Sequence, residues 1–223
     1  MRGELSTGKA AKRHPLDWYV EEGWEWEQII DSISLLPEIV ERCTIWDPSC
    51  GYGHSLSRLQ GIGFKGALLG SDLVDNVAWA DFEQPDSIEF HVADFLDDTK
   101  LVPPSGNVSI WMNPPYSYQD GILEAFCRQA LKLATHRVVA IAPLKWLAGG
   151  LGRGPFFRRE HPPQQILYFT QRPSMPPGDR IHLMGNRAYL GGAIDYVAVV
   201  WDVRKRTAPG KTRSVWLPRL GER

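Results

Sequence analysis

The chain has 223 residues, 43% hydrophobic and 23% charged, proportions that fit one soluble globular domain with a full core. No apolar run approaches the roughly 18 residues of a membrane span, and the opening stretch, MRGELSTGKAAKRHP, has no apolar core of the signal-peptide kind. The net charge of −1 hides a split: residues 1–149 carry 12 Lys/Arg against 21 Asp/Glu, whereas residues 150–223 carry 13 against 5.

The basic end is either a solvated surface or a face that meets polyanions, since clustered Lys and Arg release counterions from nucleic-acid phosphates. Cys43, Cys50 and Cys127 cannot all pair within one chain, and no CxxC spacing occurs. A reducing cytoplasm and no metal site follow as expectations.

In chain order, residues 1–14 read as a mobile basic arm. WEWEQIIDSISLL sets Trp26, Ile29, Ile30 and Ile33 at helical spacing, predicting a helix that ends before Pro37. CTIWD reads as a strand, HSLSRLQGIG as a helix, and ALLGSD, IEFHVAD and VSIWMN as strands. YQDGILEAFCRQALKLA is a helix with an apolar stripe; RVVAIAP, QILYFT and IDYVAVVWD are further strands. This alternation predicts an α/β fold: a doubly wound, mostly parallel sheet of seven strands covered on both faces, the last strand antiparallel. The stretch 149–192 is rich in Gly and Pro. It carries Arg153, Arg158, Arg159, Arg172, Arg180 and Arg187 against only Glu160 and Asp179, the texture of a functional or disordered loop.

The chemistry concentrates at strand ends, where ligands of doubly wound folds bind. WDPSCGYGHSL follows the first strand and opens a helix; Gly51 and Gly53 allow a tight turn and a close backbone approach. A dinucleotide fingerprint wants a third glycine at position 56, where this chain has Leu56, and Asp47 would repel a pyrophosphate. The turn therefore suits a ligand with a cationic portion. Asp72, 19 residues beyond Gly53, stands at the spacing of an acid that accepts from ribose hydroxyls, and Asp94 ends the next strand. Each acid alone could be a cap or turn former; three at successive strand ends before Asn113-Pro114-Pro115-Tyr116 favour a site. The two prolines stop the strand and fix the corner.

This pattern resembles the class I S-adenosylmethionine-dependent methyltransferases, and within them the DNA adenine-N6 methyltransferases of the NPPY type, including small phage-like enzymes. The likeness covers about residues 15–145, with a weaker echo to about 202. It implies that Asp47, Pro48, Cys50, Gly51 and Gly53 line the methionine end of S-adenosyl-L-methionine, with Asp72 on the ribose and Asp94 near the adenine. Asn113 and Pro114 would hold the target amine, Pro115 would stiffen the corner, and Tyr116 would stack on the target base. DWYVEEGW looks like the motif whose aromatic residue closes over the cofactor, suggesting Tyr19, although Glu21-Glu22 stands where many relatives have Thr-Pro. The domain would run over 15–203, with 149–192 as a substrate-recognition insertion and 204–223 as a basic tail.

An exocyclic adenine amine is a poor nucleophile because its lone pair is delocalised. Two fixed acceptors, the Asn113 side-chain oxygen and the Pro114 carbonyl, would each take one N–H and aim that lone pair. No metal or covalent intermediate is required. The motif suits any planar conjugated nitrogen, so an RNA amine or a protein glutamine amide are alternatives, and a non-catalytic nucleic-acid binder is a third reading. The roughly 46 residues before Asp47 leave little room for the helical domain of glutamine-specific relatives. Of the other candidates, His54 reads as a local polar contact and Cys50 as packing rather than a nucleophile; Trp111, Trp146 and Lys145 flank the expected site.

Overall fold

The computed structural model describes residues 14–76, 88–148, 150 and 152–222. All but the last residue of the expected N-terminal arm lies outside them. Eight strands form one sheet: β1 (Thr44–Asp47), β2 (Leu68–Asp72), β3 (Ile88–Val92), β4 (Val108–Met112), β5 (Arg137–Pro143), β6 (Gln165–Phe169), β7 (Tyr196–Asp202) and β8 (Arg213–Leu217). Their spatial order is β3-β2-β1-β4-β5-β7-β6-β8. β1 to β5 pair in parallel, and β7 is antiparallel to both β5 and β6. The seven expected strands are all present. The eighth is a correction: β8 falls in the stretch expected to be only a basic tail, and it pairs in parallel with β6 as an edge strand. Val215 and Leu217 pack inward from it, while Trp216 stacks on Tyr168 with ring centroids 4.9 Å apart.

The central strands β4, β5 and β7 are largely apolar because both of their faces are covered. In β5, Val139 and Ile141 enter one core while Val138, Ala140 and Ala142 enter the other, as the two-residue period of a strand dictates. The first core takes Trp24, Trp26 and Ile29 of α1 (Trp24–Ile33) and Leu56 and Leu59 of α3 (His54–Gly61). The second takes Ile122, Leu123, Phe126 and Ala130 of α4 (Ile122–Leu133), together with Trp146 and Phe156. Each large side chain so buried stabilises the fold by about 1.5–3 kcal/mol. A short helix, α2 (Leu36–Val40), carries in its first turn Pro37, the proline expected to lie beyond the end of α1. Proline is tolerated there because first-turn N–H groups have no helical partner.

Strand order reverses between β1 and β4, so the carboxyl ends of those two strands open a crevice. Asp47 ends β1, and Asn113 follows the last residue of β4.

The connection between β6 and β7 crosses toward this crevice and is tied to the N-terminal segment. Val20 N–H donates to the Pro176 carbonyl at 3.0 Å, Gly178 N–H to the Trp18 carbonyl at 3.0 Å, and Tyr52 hydroxyl to the Gly178 carbonyl at 2.9 Å. The Trp18 indole lies so close over Gly178 that any Cβ there would overlap its ring. Gly178→Ala is therefore expected to cost about 1–3 kcal/mol, the range for overpacking. Urea unfolding would measure it, and an unchanged midpoint would contradict the tight seat.

Candidate active site

A crevice at the carboxyl ends of β1, β2 and β4 is lined by Tyr19, Pro48, Cys50, Gly51, Asp72, Asp94, Asn113 and Pro115 among others. These come from five separate stretches of chain. Asp47, Gly53, Pro114 and Tyr116 lie behind this lining. Trp111 and Trp146 are buried in the two cores, and Lys145 is exposed.

The glycine turn is held from below. Gly51 N–H donates to Asp72 Oδ2 at 2.9 Å, and Leu73 N–H to Asp72 Oδ1 at 2.7 Å, so one carboxylate links the turn to the end of β2. Gly51 has φ +50°, and a Cβ there would lie 3.0 Å from Trp18 Nε1. Both facts favour glycine here. Asp47 accepts from Ser49 N–H at 3.0 Å and from the Ser55 hydroxyl. Burial, with Glu21 and Asp72 adding like charge, pushes its carboxyl up to about 8. Burial also raises the Cys50 thiol well above its ordinary value, with Asp47 and Asp72 adding to it. A low-pKa nucleophilic cysteine is thus excluded at this position. Asp94, by contrast, is exposed, and accepts from Leu96 N–H at 2.9 Å.

The Asn-Pro-Pro-Tyr corner is clamped by the N-terminal segment. Asn113 Nδ2 donates to Glu21 Oε2 at 2.7 Å and to the Tyr19 carbonyl at 3.3 Å. Both partners can only accept, which fixes the amide orientation and turns Oδ1 the other way. Oδ1 accepts from the Tyr116 hydroxyl. The Asn113 carbonyl accepts from Ser49 Oγ at 3.2 Å, tying this corner to the glycine turn. Asp17, buried and at φ +54°, accepts the Tyr116 N–H at 3.1 Å and the Ser117 N–H. His54 Nδ1 donates to the Glu21 carbonyl at 2.8 Å, a polar contact as expected, but with a residue 33 positions away.

Tyr116, expected to offer a stacking face, has its ring against Tyr196 (centroids 5.9 Å apart) and its hydroxyl near Met175 Sδ. The ring is thus packed against a neighbour and does not line the crevice. The exposed ring at the crevice is Tyr118. Trp18, Asp17 and Glu21 are hard to read as site residues from sequence, because each acts on a partner remote in the chain.

None of the six arginines of 149–192 lines the crevice. Arg153 reaches the Lys145 and Ala148 carbonyls at 3.5 Å, Arg172 pairs with Asp195 at 2.6 Å, and Arg158, Arg159, Arg180 and Arg187 are exposed. Among the described residues, no helix is long and apolar enough to cross a membrane.

The strand order, with its reversal at β1 and β4 and its inserted antiparallel strand, is that of the Rossmann-like methyltransferase fold. Solved structures share it. A protein from Pyrococcus horikoshii provisionally described as an RNA methyltransferase superposes with a TM-score of 0.62 at 15% identity, over 89% of this chain and 93% of its own. The methyltransferase subunit of a type I restriction-modification system from Streptococcus thermophilus gives 0.61 at 14% identity, over 90% of this chain and 47% of its own, so this chain spans about half of that subunit. Magnesium protoporphyrin IX methyltransferase from Synechocystis PCC 6803, solved with S-adenosylmethionine bound, gives 0.52 at 10% identity, over 81% and 78%. No family model and no curated protein matches the sequence.

Proposed function

We infer that the chain is an S-adenosyl-L-methionine-dependent methyltransferase whose acceptor is the exocyclic N6 amine of adenine in DNA. The observation that carries this reading is the Asn113 amide. Its nitrogen is held by two acceptors, so its oxygen, which also accepts from the Tyr116 hydroxyl, is the group left with acceptor capacity for a substrate N–H, at a corner tied through Ser49 to the acid-rimmed glycine turn.

The site's chemistry fits the cofactor. Asp72 and Asp94 at the rim, and Asp47 beneath it once its proton is released, favour a ligand bearing sulfonium and ammonium charge. The indole N–H of Trp18 is buried over Gly51 with no hydrogen-bond partner among the described residues, a donor suited to an anionic or carbonyl oxygen of the ligand. Bound there, the cofactor supplies an activated methyl group. Gly51, Cys50 and Pro48 would hold its methionine end, Asp72 its ribose and Asp94 its base, with Trp18 and Tyr19 covering it. Asn113 Oδ1 and the Pro114 carbonyl would accept the two amine hydrogens and orient the nitrogen. Tyr118 would stack on the base after it leaves the helix.

Nucleic acid as partner is supported by the basic balance of 150–223, with the exposed Arg158, Arg159, Arg180 and Arg187 as phosphate contacts. An RNA amine is a second reading, favoured by the likeness to the archaeal protein over nearly its whole length. Transfer of labelled methyl to double-stranded DNA, single-stranded DNA and RNA in parallel, followed by nucleoside analysis, decides between them. N6-methyldeoxyadenosine is the expected product; no transfer to any of the three, with the cofactor bound, would overturn the nucleic-acid reading.

A second test uses Asp47. In the free protein its carboxyl holds a proton at neutral pH, because its pKa is raised to about 8. A neighbouring ligand cation favours the charged form. Cofactor binding below about pH 8 is therefore expected to release up to one proton, and affinity to rise with pH until about 8. Calorimetry in buffers of different ionisation enthalpy reads the proton count. The same linkage gives the free protein's stability its sign: the native state holds this proton more tightly than the unfolded chain. Asp47's contribution is thus full below the ordinary carboxylate range and lost as pH rises through about 8.

A further inference from the structure

Glu21 is buried at 6% exposure in a segment with no regular structure, and both its carboxylate oxygens are engaged. Oε1 accepts from Trp26 Nε1 at 2.9 Å, and Oε2 from Asn113 Nδ2 at 2.7 Å. Its own carbonyl is held by His54. The residue is thus fixed at three points, two of them on its carboxylate, and one of those two is the amide nitrogen of the residue that would present an acceptor to the substrate.

We propose that Glu21 is the positioning residue for Asn113, holding its amide so that the oxygen rather than the nitrogen faces the target amine. This rests on the amine-methylation reading above. An asparagine side chain is nearly symmetric in shape, and a half-turn about its terminal bond exchanges oxygen for NH2. In that flipped form the group offered to the substrate is a second donor, which repels an N–H. Without Glu21 the amide keeps the Tyr19 carbonyl, a long partner at 3.3 Å, and the Tyr116 hydroxyl, which can donate or accept and so does not by itself set the orientation. A buried carboxylate is acceptor-only and charge-assisted, so it opposes the flip far more strongly. Glutamate at this position, where the resembled family commonly has threonine, thereby gains a role that its sequence neighbours did not reveal.

The test is Glu21→Gln, which is close in shape but has one acceptor oxygen where two donors need one each. It can place an NH2 against Asn113 and so permit the flip. The expected result is a fall in kcat of about 100-fold or more, with cofactor affinity and substrate KM within about threefold of wild type. Glu21→Asp is expected to recover part of the loss. In an Asn113→Ala background, Glu21→Gln should cost nothing further, because the residue acts only through Asn113. Near-normal turnover in Glu21→Gln, or losses that simply multiply in the double variant, would overturn the proposal.

Should the wild type methylate nothing, the function reading fails by itself, and positioning is judged without turnover. Solvent exchange of the Asn113 side-chain amide hydrogens, followed by NMR, is expected to be slow in wild type and fast in Glu21→Gln. Equal rates would overturn the proposal.

Discussion

Asn113→Ala is expected to lower turnover by about 10²–10³-fold, the loss typical when one preorganised hydrogen-bonding group is removed from a reacting centre. Cofactor affinity should stay within about twofold, since the glycine turn, Asp72 and Trp18 make no side-chain contact with Asn113 that the variant removes. Methyl transfer and equilibrium dialysis on the same preparation separate the two quantities. Asn113→Asp is the sharper comparison, because it keeps shape and an acceptor oxygen. It would set a carboxylate against the Glu21 carboxylate and the Tyr19 carbonyl, acceptors that face a donor in the native protein. A loss of activity comparable to that of alanine, with lowered stability, is the expected outcome. Full activity in the aspartate variant would mean that the amide nitrogen has no part in the arrangement.

The features readable from sequence were those written in contiguous runs. Strands such as RVVAIAP declare themselves because their residues feed two cores alternately. The glycine turn and the proline corner declare themselves because backbone geometry demands those residue types locally. The clamp did not, because its halves lie far apart: Glu21 meets Asn113 across 92 positions, and Asp17 meets Tyr116 across 99. Asp17, Tyr19 and Glu21 stand at alternate positions, but Asp17 sits at φ +54° and Tyr19 contributes its backbone carbonyl, so side-chain alternation carries little signal here. The odd positions supply the groups that touch the Asn-Pro-Pro-Tyr corner, while Trp18 and Val20 bond through their backbones to the β6–β7 connection. The strand β8 was hidden by basic flanks that outweighed the inward alternation of Val215 and Leu217.

Glu38→Ala is expected to destabilise the protein by about 3–5 kcal/mol. Glu38 and Arg137 are buried together at the end of the sheet opposite the crevice, and the guanidinium donates to both carboxylate oxygens. Arg137 also donates to the Ile33 carbonyl at 3.1 Å and the Ser34 carbonyl at 2.6 Å, the free acceptors at the C-terminus of α1, where a cation also complements the helix dipole. Ser109 Oγ donates to Glu38 at 3.2 Å. Removing the carboxylate leaves a guanidinium and a hydroxyl buried without it, which costs far more than the pair's net worth. Replacing both ions by Glu38→Leu with Arg137→Met should accordingly recover much of the loss, and a double variant as unstable as the single would refute the desolvation argument. Thermal and urea unfolding read both. The consequence for the site follows from α1, which runs from this network to Trp24, three positions after Glu21. While folded, the Glu38→Ala protein should retain the clamp on Asn113 and turn over normally in the cold. Its activity should then fall at a temperature lower by roughly 6–20 °C, in step with unfolding and not before it.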